Sequence, residues 1–455
     1  MNTKIKFSYG IGAVGKDMVY ILVSSFLMYY FNTVLGVSAT FIGVLFIIAR
    51  IFDALNDPFM GVVVAKTHTR YGKFRPWLLL GTILNAVVLV LLFSVPQGLS
   101  KFQVLVYISI GYILWGITYT IMDIPYWSMI PAITKTGKDR ETMSVIARSC
   151  AGLGAAIPTA LTLKVAPILG QGNERIGFSY LAVIIALFFV VSISITVYNV
   201  KEVTEVKKKA VTVKEMITSL FQNDQAMVVV VAIIVFNASL YLTQQLAIYF
   251  FKYDIGNGEL YGIFGLVGGA TQILAMMCLP LLRKKFGRKT ILAGAIGTTI
   301  LGYSLLFLLG SLHINNIVLL CGAAIIIFIE FGLATVLTTI FLADTVDYGE
   351  YKNGQRNESV IFSLQTFVVK LASAVAGFIA GIGIDLIHLN TEDNAVQTAQ
   401  TLLGLRAIML IVPMIGLLIS ITYFVRKYKL SEGYLEEITK KLSETKKKEE
   451  AENCA

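Results

Sequence analysis

Long apolar stretches alternate with short polar stretches along the whole chain. Each apolar stretch approaches or exceeds the ~20 residues that a helix needs to cross ~30 Å of hydrocarbon. None has the period-two alternation that is typical of membrane β-strands. The pattern predicts an all-α membrane protein with twelve transmembrane helices, at about 8–33, 38–65, 77–95, 103–131, 145–169, 178–199, 226–253, 260–282, 289–309, 316–342, 360–388 and 401–425.

The basic residues of the polar segments lie mainly on one side of the predicted bilayer. Besides the two termini, they concentrate in the loops 66–75, 135–140, 201–214, 283–289 and 352–356. The opposite loops carry Lys101, Arg175 and Lys252. Because Lys and Arg are enriched in cytoplasmic loops, this asymmetry predicts that both termini are cytoplasmic. The net charge of +10 then reflects topology and does not indicate a nucleic-acid partner.

The chain also contains an internal repeat. RYGKFRPWLLLG (70–81) follows the second predicted helix, and RKKFGRKTILAG (283–294) follows the eighth. Both are short basic turns that hold a glycine and an aromatic residue and start the next helix. Two pseudo-symmetric bundles of six helices are the layout of major-facilitator transporters. We therefore predict a first bundle at 1–200, a central cytoplasmic loop at 201–225, a second bundle at 226–425 and a polar cytoplasmic tail at 426–455.

Composition excludes several classes of protein. Hydrophobic residues make up 56% of the chain and charged residues 15%, so a soluble protein is excluded. The four cysteines have no paired spacing, and the three histidines form no ligand cluster. The sequence contains no nucleophile–base pair either, so we expect no enzyme, no cofactor and no metal beyond a coupling ion. The polar tail is too short for a signalling domain, and we expect a solvated, partly helical segment there.

Ionisable residues inside the predicted helices carry most of the functional information. A charge at the bilayer centre costs at least ~2.5–3.5 kcal/mol, and such residues usually mark a transport pathway. Five acids and four bases stand out among them: Lys16, Asp17, Arg50, Asp53, Asp57, Asp123, Arg148, Glu330 and Lys370. Their near neutrality indicates that they face one another across a shared interior.

The second predicted helix carries the motif RIFDALNDPFMG (50–61). Arg50, Asp53 and Asp57 are spaced by three and four residues, so they share one face of the helix. Asn56 lies beside that face. Paired carboxylates with an amide and a nearby hydroxyl suit Na⁺, Li⁺ or a proton. The alternative is that these charges form salt bridges that hold helices together, and for Arg50 both interpretations stay open. For Asp53 and Asp57 a cation site is favoured, because one arginine cannot neutralise both aspartates.

The fourth predicted helix carries Tyr119, Asp123 and Trp127 at intervals of four residues, with Thr120 to one side. A carboxylate accepts hydrogen bonds from two hydroxyls of a sugar, and an indole covers the apolar face of the ring. Trp127 alone would indicate core packing. In register with the other two residues, it favours sugar binding.

Six segments resemble the glycoside–pentoside–hexuronide:cation symporter family of the major facilitators, in order from residue 6 to about 425. They are KFSYGIGAVGKDMVY, RIFDALNDPFMG, RYGKFRPW, YILWGITYTIMDIPYWSMIPAIT, LADTVDYGE and SLQTFVVK. The resemblance implies a cation site formed by Asp53, Asn56, Asp57 and Thr120. It implies sugar-binding residues at Lys16, Asp17, Tyr119, Asp123, Trp127, Arg148, Gln365, Thr366 and Lys370. Closure of the cytoplasmic side is implied for Arg140, Asp344, Asp347 and Glu350, and we add Arg50 as a candidate gating residue.

The predicted function is symport of a glycoside such as melibiose with Na⁺, Li⁺ or H⁺, by alternating access in a bacterial inner membrane. Three positions depart from the melibiose carriers of the family. Thr335 replaces an aromatic residue, Thr33 replaces an acid, and Glu330 has no obvious counterpart. These differences leave a β-galactoside, a pentoside or a hexuronide open as the substrate, with Glu330 and Thr335 as specificity residues. A lipid or drug transporter of the same fold is the remaining alternative. We expect a monomer.

Overall fold

The computed structural model describes residues 2–67, 69–134, 137–202, 218, 221–353, 358–391, 396–431, 433–438, 440–442 and 444. Within these ranges, the side chains of 54, 55, 58, 62, 65, 131, 137–141, 353 and 358–366 are not described. The central loop of the sequence prediction lies largely outside this part of the chain.

The described residues form helices joined by loops, and they contain no strand. The helices are α1 (Thr3–Tyr29), α2 (Ala39–Lys66), α3 (Arg75–Phe93), α4 (Lys101–Ile133), α5 (Gly137–Leu169), α6 (Glu174–Asn199), α7 (Asp224–Tyr249), α8 (Leu260–Arg283), α9 (Arg288–Ser311), α10 (Ile317–Asn353), α11 (Glu358–Leu386) and α12 (Ala399–Arg406 and Val412–Lys427). Single π-helical turns extend α1 over Tyr30–Val34 and α7 over Phe250–Asp254, and Ala407–Ile411 joins the two parts of α12. The predicted all-α fold is confirmed.

Eleven helical segments of the described chain are long and apolar enough to cross a membrane, judged by length and composition. The remaining helix, α2, has 28 residues, so it extends about 42 Å at the usual rise of an α-helix. That length also exceeds the hydrocarbon thickness of a bilayer. α2 is the helix that carries the RIFDALNDPFMG motif.

The helices pack as two groups of six. In the first group, α1 contacts α5 and α6, α3 contacts α4 and α6, and α2 contacts α4. In the second group, α10 contacts α8 and α9, and α7 contacts α10 and α12. The groups meet through α2 against α11 and α5 against α8. These two contacts are equivalent, because α2 and α5 of the first group correspond to α8 and α11 of the second. Such equivalence is expected of a pseudo-twofold arrangement.

Two helices extend further than the hydropathy pattern predicts. α10 continues to Asn353, which places Asp344, Asp347 and Glu350 on the helix itself. α5 begins at Gly137, eight residues before the predicted start at 145. Hydropathy locates the membrane boundary, whereas backbone hydrogen bonding continues beyond it; this explains both differences.

The beginning of the tail is not fully solvated. Residues 433–438 are helical, and the side chains of Leu435 and Ile438 are 8% and 1% exposed. The backbone amide of Lys429 donates to Gln225 Oε1 at 2.7 Å, which holds the segment that leads into the tail against α7. The expectation of a solvated tail is therefore corrected for its first turns, because two apolar side chains are buried there.

Candidate functional site

Lys16 is the centre of a charged cluster between α1 and α4. Its ammonium group lies 3.1 Å from Asp17 Oδ2 and 3.0 Å from Asp123 Oδ1, and it donates to the hydroxyl of Tyr119 at 3.3 Å. Lys16 is 3% exposed, whereas the side chains of Asp17 and Asp123 are 18% and 29% exposed. A buried cation thus orders two carboxylates whose outer edges remain accessible.

Trp127 lies next to this cluster, and two cations lie close to its indole ring. Lys16 Nζ is 4.9 Å and the guanidinium carbon of Arg148 is 5.1 Å from the centroid of the indole ring. Such distances allow cation–π attraction. Arg148 projects from α5 and is exposed, so it can reach a ligand bound near Trp127. Tyr119, Asp123 and Trp127, which the sequence predicts on one face of α4, therefore lie together with Lys16 and Arg148.

An aromatic row runs along α4 from this site. The ring of Trp115 stacks on Tyr119 at 5.2 Å between centroids and lies parallel to Tyr112 at 6.1 Å. Tyr20 of α1 packs against both Trp115 and Tyr119. The spacing of three and four residues places the row on one face of α4.

Each aspartate of α2 has its own basic partner. Arg50 Nη1 contacts Asp53 Oδ2 at 2.9 Å, within the same helix. Asp57 pairs with the ammonium group of Lys370 on α11 and accepts a hydrogen bond from Thr120 Oγ1 at 2.9 Å. The predicted pair of carboxylates is therefore present with two cations, one from each bundle.

The structure places the remaining predicted cation ligand, Asn56, beside these acids on α2. Its Nδ2 is buried and has no hydrogen-bond partner in the described part of the chain. Sequence reasoning missed Gly116 of α4: a Cβ added there would lie 2.9 Å from Asp53 Oδ1. Glycine at this position allows α4 to approach the carboxylate of Asp53. The sequence signal for Gly116 was its place between the aromatic residues Trp115 and Tyr119.

The two clusters are joined through α4. Thr120, which binds Asp57, is the residue after Tyr119 and lies one turn before Asp123. Among the described residues, no group of three His, Cys, Asp or Glu side chains is arranged for a metal ion.

Three predicted residues are described only by their place on a helix. Gln365 and Thr366 lie on α11 and Arg140 lies on α5, but their side chains are outside the described residues. Thr335 is exposed and donates to the backbone oxygen of Phe331 on its own helix. Their predicted roles stay predictions.

Glu330 is fully buried inside the second bundle, beside Thr299 and Tyr303 of α9. No ion pair to its carboxyl group occurs within the described residues. The position separates Glu330 from the charged clusters on α1, α2 and α4.

The acids of α10 lie near its final turns. Asp344 pairs with Arg288 at 2.7 Å and accepts from the hydroxyl of Tyr428 at 3.1 Å, so it joins α9, α10 and the end of α12. Asp347 and Glu350 follow on the same helix and are half-buried. The contacts of Asp344 lie within the second bundle and do not join the two bundles. A gating role for Asp344, Asp347 and Glu350 stays a prediction.

Polar contacts between the bundles occur at the end opposite to the termini, where no site was predicted. Lys252 donates to the hydroxyl of Tyr29 at 2.7 Å, and Tyr29 donates to Glu174 Oε2 at 2.9 Å. Asp385 of α11 accepts from Ser38 Oγ and from the first backbone amides of α2. The sequence signal for these contacts was Lys252, which is an isolated base on the side of the bilayer that carries few basic residues.

Solved transporters share this architecture. The crystal structure of the nucleoside transporter NupG (D323A mutant) matches with a TM-score of 0.68 at 13% identity, covering 93% of this chain and 100% of that chain. A structure of a proton-dependent oligopeptide transporter matches with a TM-score of 0.67 at 11% identity, covering 96% and 100%. These matches show the fold, which is that of multi-pass membrane transporters, as predicted.

The particular family follows from the sequence comparison. The family model described as MFS/sugar transport protein matches residues 8–432, so the chain belongs to this family. The family resemblance of the motifs is thereby confirmed.

Three curated relatives illustrate the family. An uncharacterized symporter, YjmB, of Bacillus subtilis is 32% identical over 95% of this chain and 93% of its own length. The isoprimeverose transporter of Lactiplantibacillus pentosus is 30% identical, over 90% of this chain and 85% of its own. A lactose permease of Lactobacillus delbrueckii is 28% identical, over 96% and 72%.

Proposed function

We propose that the protein is a cation-coupled sugar symporter that imports a glycoside by alternating access. The observation that carries the proposal is the arrangement on α4. Thr120 contacts the acid Asp57 of α2, while the adjacent Tyr119 and Asp123 contact Lys16. A cation site and a sugar site on one helix can influence each other directly.

The charge balance of the site supports a neutral sugar. Four basic and four acidic side chains make up the two clusters: Lys16, Arg50, Arg148, Lys370, Asp17, Asp53, Asp57 and Asp123. Their formal charges cancel, so an anionic sugar would bring an unbalanced charge into a partly buried site. This favours a neutral glycoside or pentoside over a hexuronide, and it disfavours a lipid or cationic drug.

The surroundings of Trp127 support a pyranose ring. The indole provides a flat apolar surface, and the accessible oxygens of Asp17 and Asp123 accept hydrogen bonds from hydroxyl groups. Arg148, whose guanidinium carbon lies 5.1 Å from the centroid of the indole ring, adds hydrogen-bond donors. Two relatives are named for the saccharides isoprimeverose and lactose, which agrees with a glycoside.

The coupling cation, Na⁺, Li⁺ or H⁺, would bind at Asp53 and Asp57 with Asn56 and Thr120. Lys370 now neutralises Asp57, so an arriving cation would take over that role. The released ammonium group could then donate to the sugar. Because coupling is reciprocal, the sugar would raise the affinity for the cation by the same factor. Both termini would lie in the cytoplasm, a topology that the positive-inside pattern of Lys and Arg supports.

The test is uptake of labelled melibiose into cells that lack their own carriers, with and without a Na⁺, Li⁺ or H⁺ gradient. Unlabelled β-galactosides, pentosides and uronides compete in parallel and identify the substrate. We expect Asp57→Cys to abolish cation-stimulated uptake while some sugar binding remains. Asp224→Asn, at an exposed ion pair with Lys352, is the matched control and should transport normally. Intact cation stimulation in the Asp57 variant would refute the cation site, and no uptake or competition by any sugar would refute the function.

A further inference from the structure

Tyr9 of α1 and Tyr126 of α4, the tyrosine pair, are joined by two reciprocal hydrogen bonds. The hydroxyl of Tyr9 donates to the backbone oxygen of Tyr126, and the hydroxyl of Tyr126 donates to the backbone oxygen of Tyr9 at 2.6 Å. The two rings stack, with their centroids 4.5 Å apart and their planes inclined by 20°. Both side chains are 0% exposed, so neither can contact a ligand directly.

The tyrosine pair belongs to a regular antiparallel seam of side chains between α1 and α4. Seven residues further along α1 and seven residues back along α4, Lys16 contacts Tyr119. After another four residues in the same directions, Tyr20 packs against Trp115. Steps of seven and four residues keep these side chains on one face of each helix. The tyrosine pair therefore helps to fix the register at which Lys16 meets the polar groups of α4.

Tyr126 also contacts two residues of the proposed sugar site. Its ring lies perpendicular to the indole of Trp127, with the centroids 5.6 Å apart. Lys16 Nζ lies 5.7 Å from the centroid of Tyr126 and 4.9 Å from that of Trp127, so one ammonium group attracts both rings. Tyr9 is thus connected to the indole through Tyr126.

The covalent structure of α4 makes such support necessary. Pro125 lies between Asp123 and Trp127 and has no N–H, so the helix lacks one backbone hydrogen bond at this point. A helix is less constrained where a backbone hydrogen bond is missing. The contacts of Tyr126, the residue that follows the proline, therefore help to set the direction of Trp127 relative to Asp123.

We propose that Tyr9 and Tyr126 are positioning residues for the sugar site, because their reciprocal hydrogen bonds hold Trp127 and Lys16 in the arrangement that binds the sugar ring. The inference rests on the proposed sugar-transport function and deepens it: two residues that do not touch the ligand determine its affinity. The alternative is that the pair merely joins α1 to α4, in which case its loss would lower stability and leave the site unchanged.

Tyr9→Phe in the purified full-length protein removes one hydroxyl and keeps the stacked ring, so the variant should fold. Tyr30→Phe is the matched control. Tyr30 lies in the π-helical turn that extends the same helix, and its buried hydroxyl also donates to a backbone oxygen, that of Phe93 on α3, at 2.9 Å. We expect similar decreases of the thermal unfolding temperature in the two variants, since each loses one buried hydrogen bond.

Sugar affinity is the first readout. Calorimetry uses melibiose and the β-galactosides, pentosides and uronides of the uptake test. We expect Tyr9→Phe to weaken binding of the sugar that the wild type binds roughly fivefold, and Tyr30→Phe less than about twofold. Equal weakening in the two variants would indicate a merely structural role and would overturn the proposal, as would an unchanged affinity in Tyr9→Phe.

The second readout needs no sugar. The chain contains three tryptophans, Trp77, Trp115 and Trp127, so incorporation of 5-fluorotryptophan gives three fluorine NMR resonances, which single substitutions assign. We expect Tyr9→Phe to shift the Trp127 resonance and to leave that of Trp77, on α3, in place. Tyr30→Phe should move neither. An unchanged Trp127 resonance in Tyr9→Phe would overturn the proposal.

The two readouts separate this proposal from the proposed function. If the wild type binds none of the sugars, the proposed function fails, and the Trp127 resonance still decides whether the tyrosine pair positions the indole. If sugars bind but Tyr9→Phe behaves like Tyr30→Phe in both measurements, the positioning role alone is overturned.

Discussion

The ammonium group of Lys370 in the second bundle contacts the carboxylate of Asp57 in the first bundle. Their side chains are 28% and 24% exposed, so the pair is accessible enough for an ion from solution to compete. Thr120 holds the other oxygen of the same carboxylate. One contact therefore joins the bundles at the proposed cation site, where the two halves of a transporter must move relative to each other.

Lys370→Gln should raise the affinity for the coupling cation. The lysine occupies Asp57 in place of the cation, so its removal eliminates a tethered competitor. We expect the Na⁺ or Li⁺ concentration for half-maximal sugar binding to fall roughly tenfold, while accumulation against a gradient is lost. Lys352→Gln, at the exposed pair with Asp224, is the control. A higher half-maximal concentration in the Lys370 variant would contradict competition.

Lys16→Gln should both abolish sugar binding and destabilise the protein. The substitution leaves Asp17 and Asp123 without their buried cation, and breaking such a pair costs about 3–5 kcal/mol. The double variant Lys16→Gln/Asp123→Asn should recover part of that loss, because it removes one unpaired charge. Thermal unfolding in detergent measures all three proteins, and a double variant less stable than the single one would argue against the pairing.

Asp385→Asn should loosen the end of the molecule opposite to the termini. The carboxylate of Asp385 caps the N-terminus of α2 from the other bundle, through Ser38 Oγ and the amides of Ala39 and Thr40. Loss of an N-cap costs about 0.5–2 kcal/mol, so the junction should open more often. A cysteine placed at Asn32 should then react faster with a membrane-impermeant maleimide. An unchanged labelling rate would show that the cap does not hold the bundles together.

Glu330→Gln should be tolerated and should raise the unfolding temperature. Glu330 is fully buried beside Thr299 and Tyr303, and burying a carboxylate without a cation is costly. The amide has the same shape and carries no charge. Uptake should stay near the wild-type level, whereas Glu330→Ala should lower stability by leaving a cavity. Loss of uptake in the Gln variant with normal stability would instead assign Glu330 a direct role in transport.

The sequence by itself determined the twelve helices and the face that each charged residue occupies. Helix length follows from the thickness of hydrocarbon, and the spacing of three and four residues follows from the helical repeat. The ion pair between Arg50 and Asp53, one turn apart on α2, is a direct consequence of that repeat. So is the alignment of Tyr119, Asp123 and Trp127 on α4.

Only the tertiary structure decided which residues meet across helices. Sequence spacing within α2 leaves Asp57 without a base, and its partner Lys370 is 313 positions away. The cap of α2 by Asp385 likewise depends on how α11 packs against the first bundle. The helical repeat sets directions within one helix, whereas contacts between helices depend on their packing angles and on the close approach that small residues such as Gly116 and Gly377 allow.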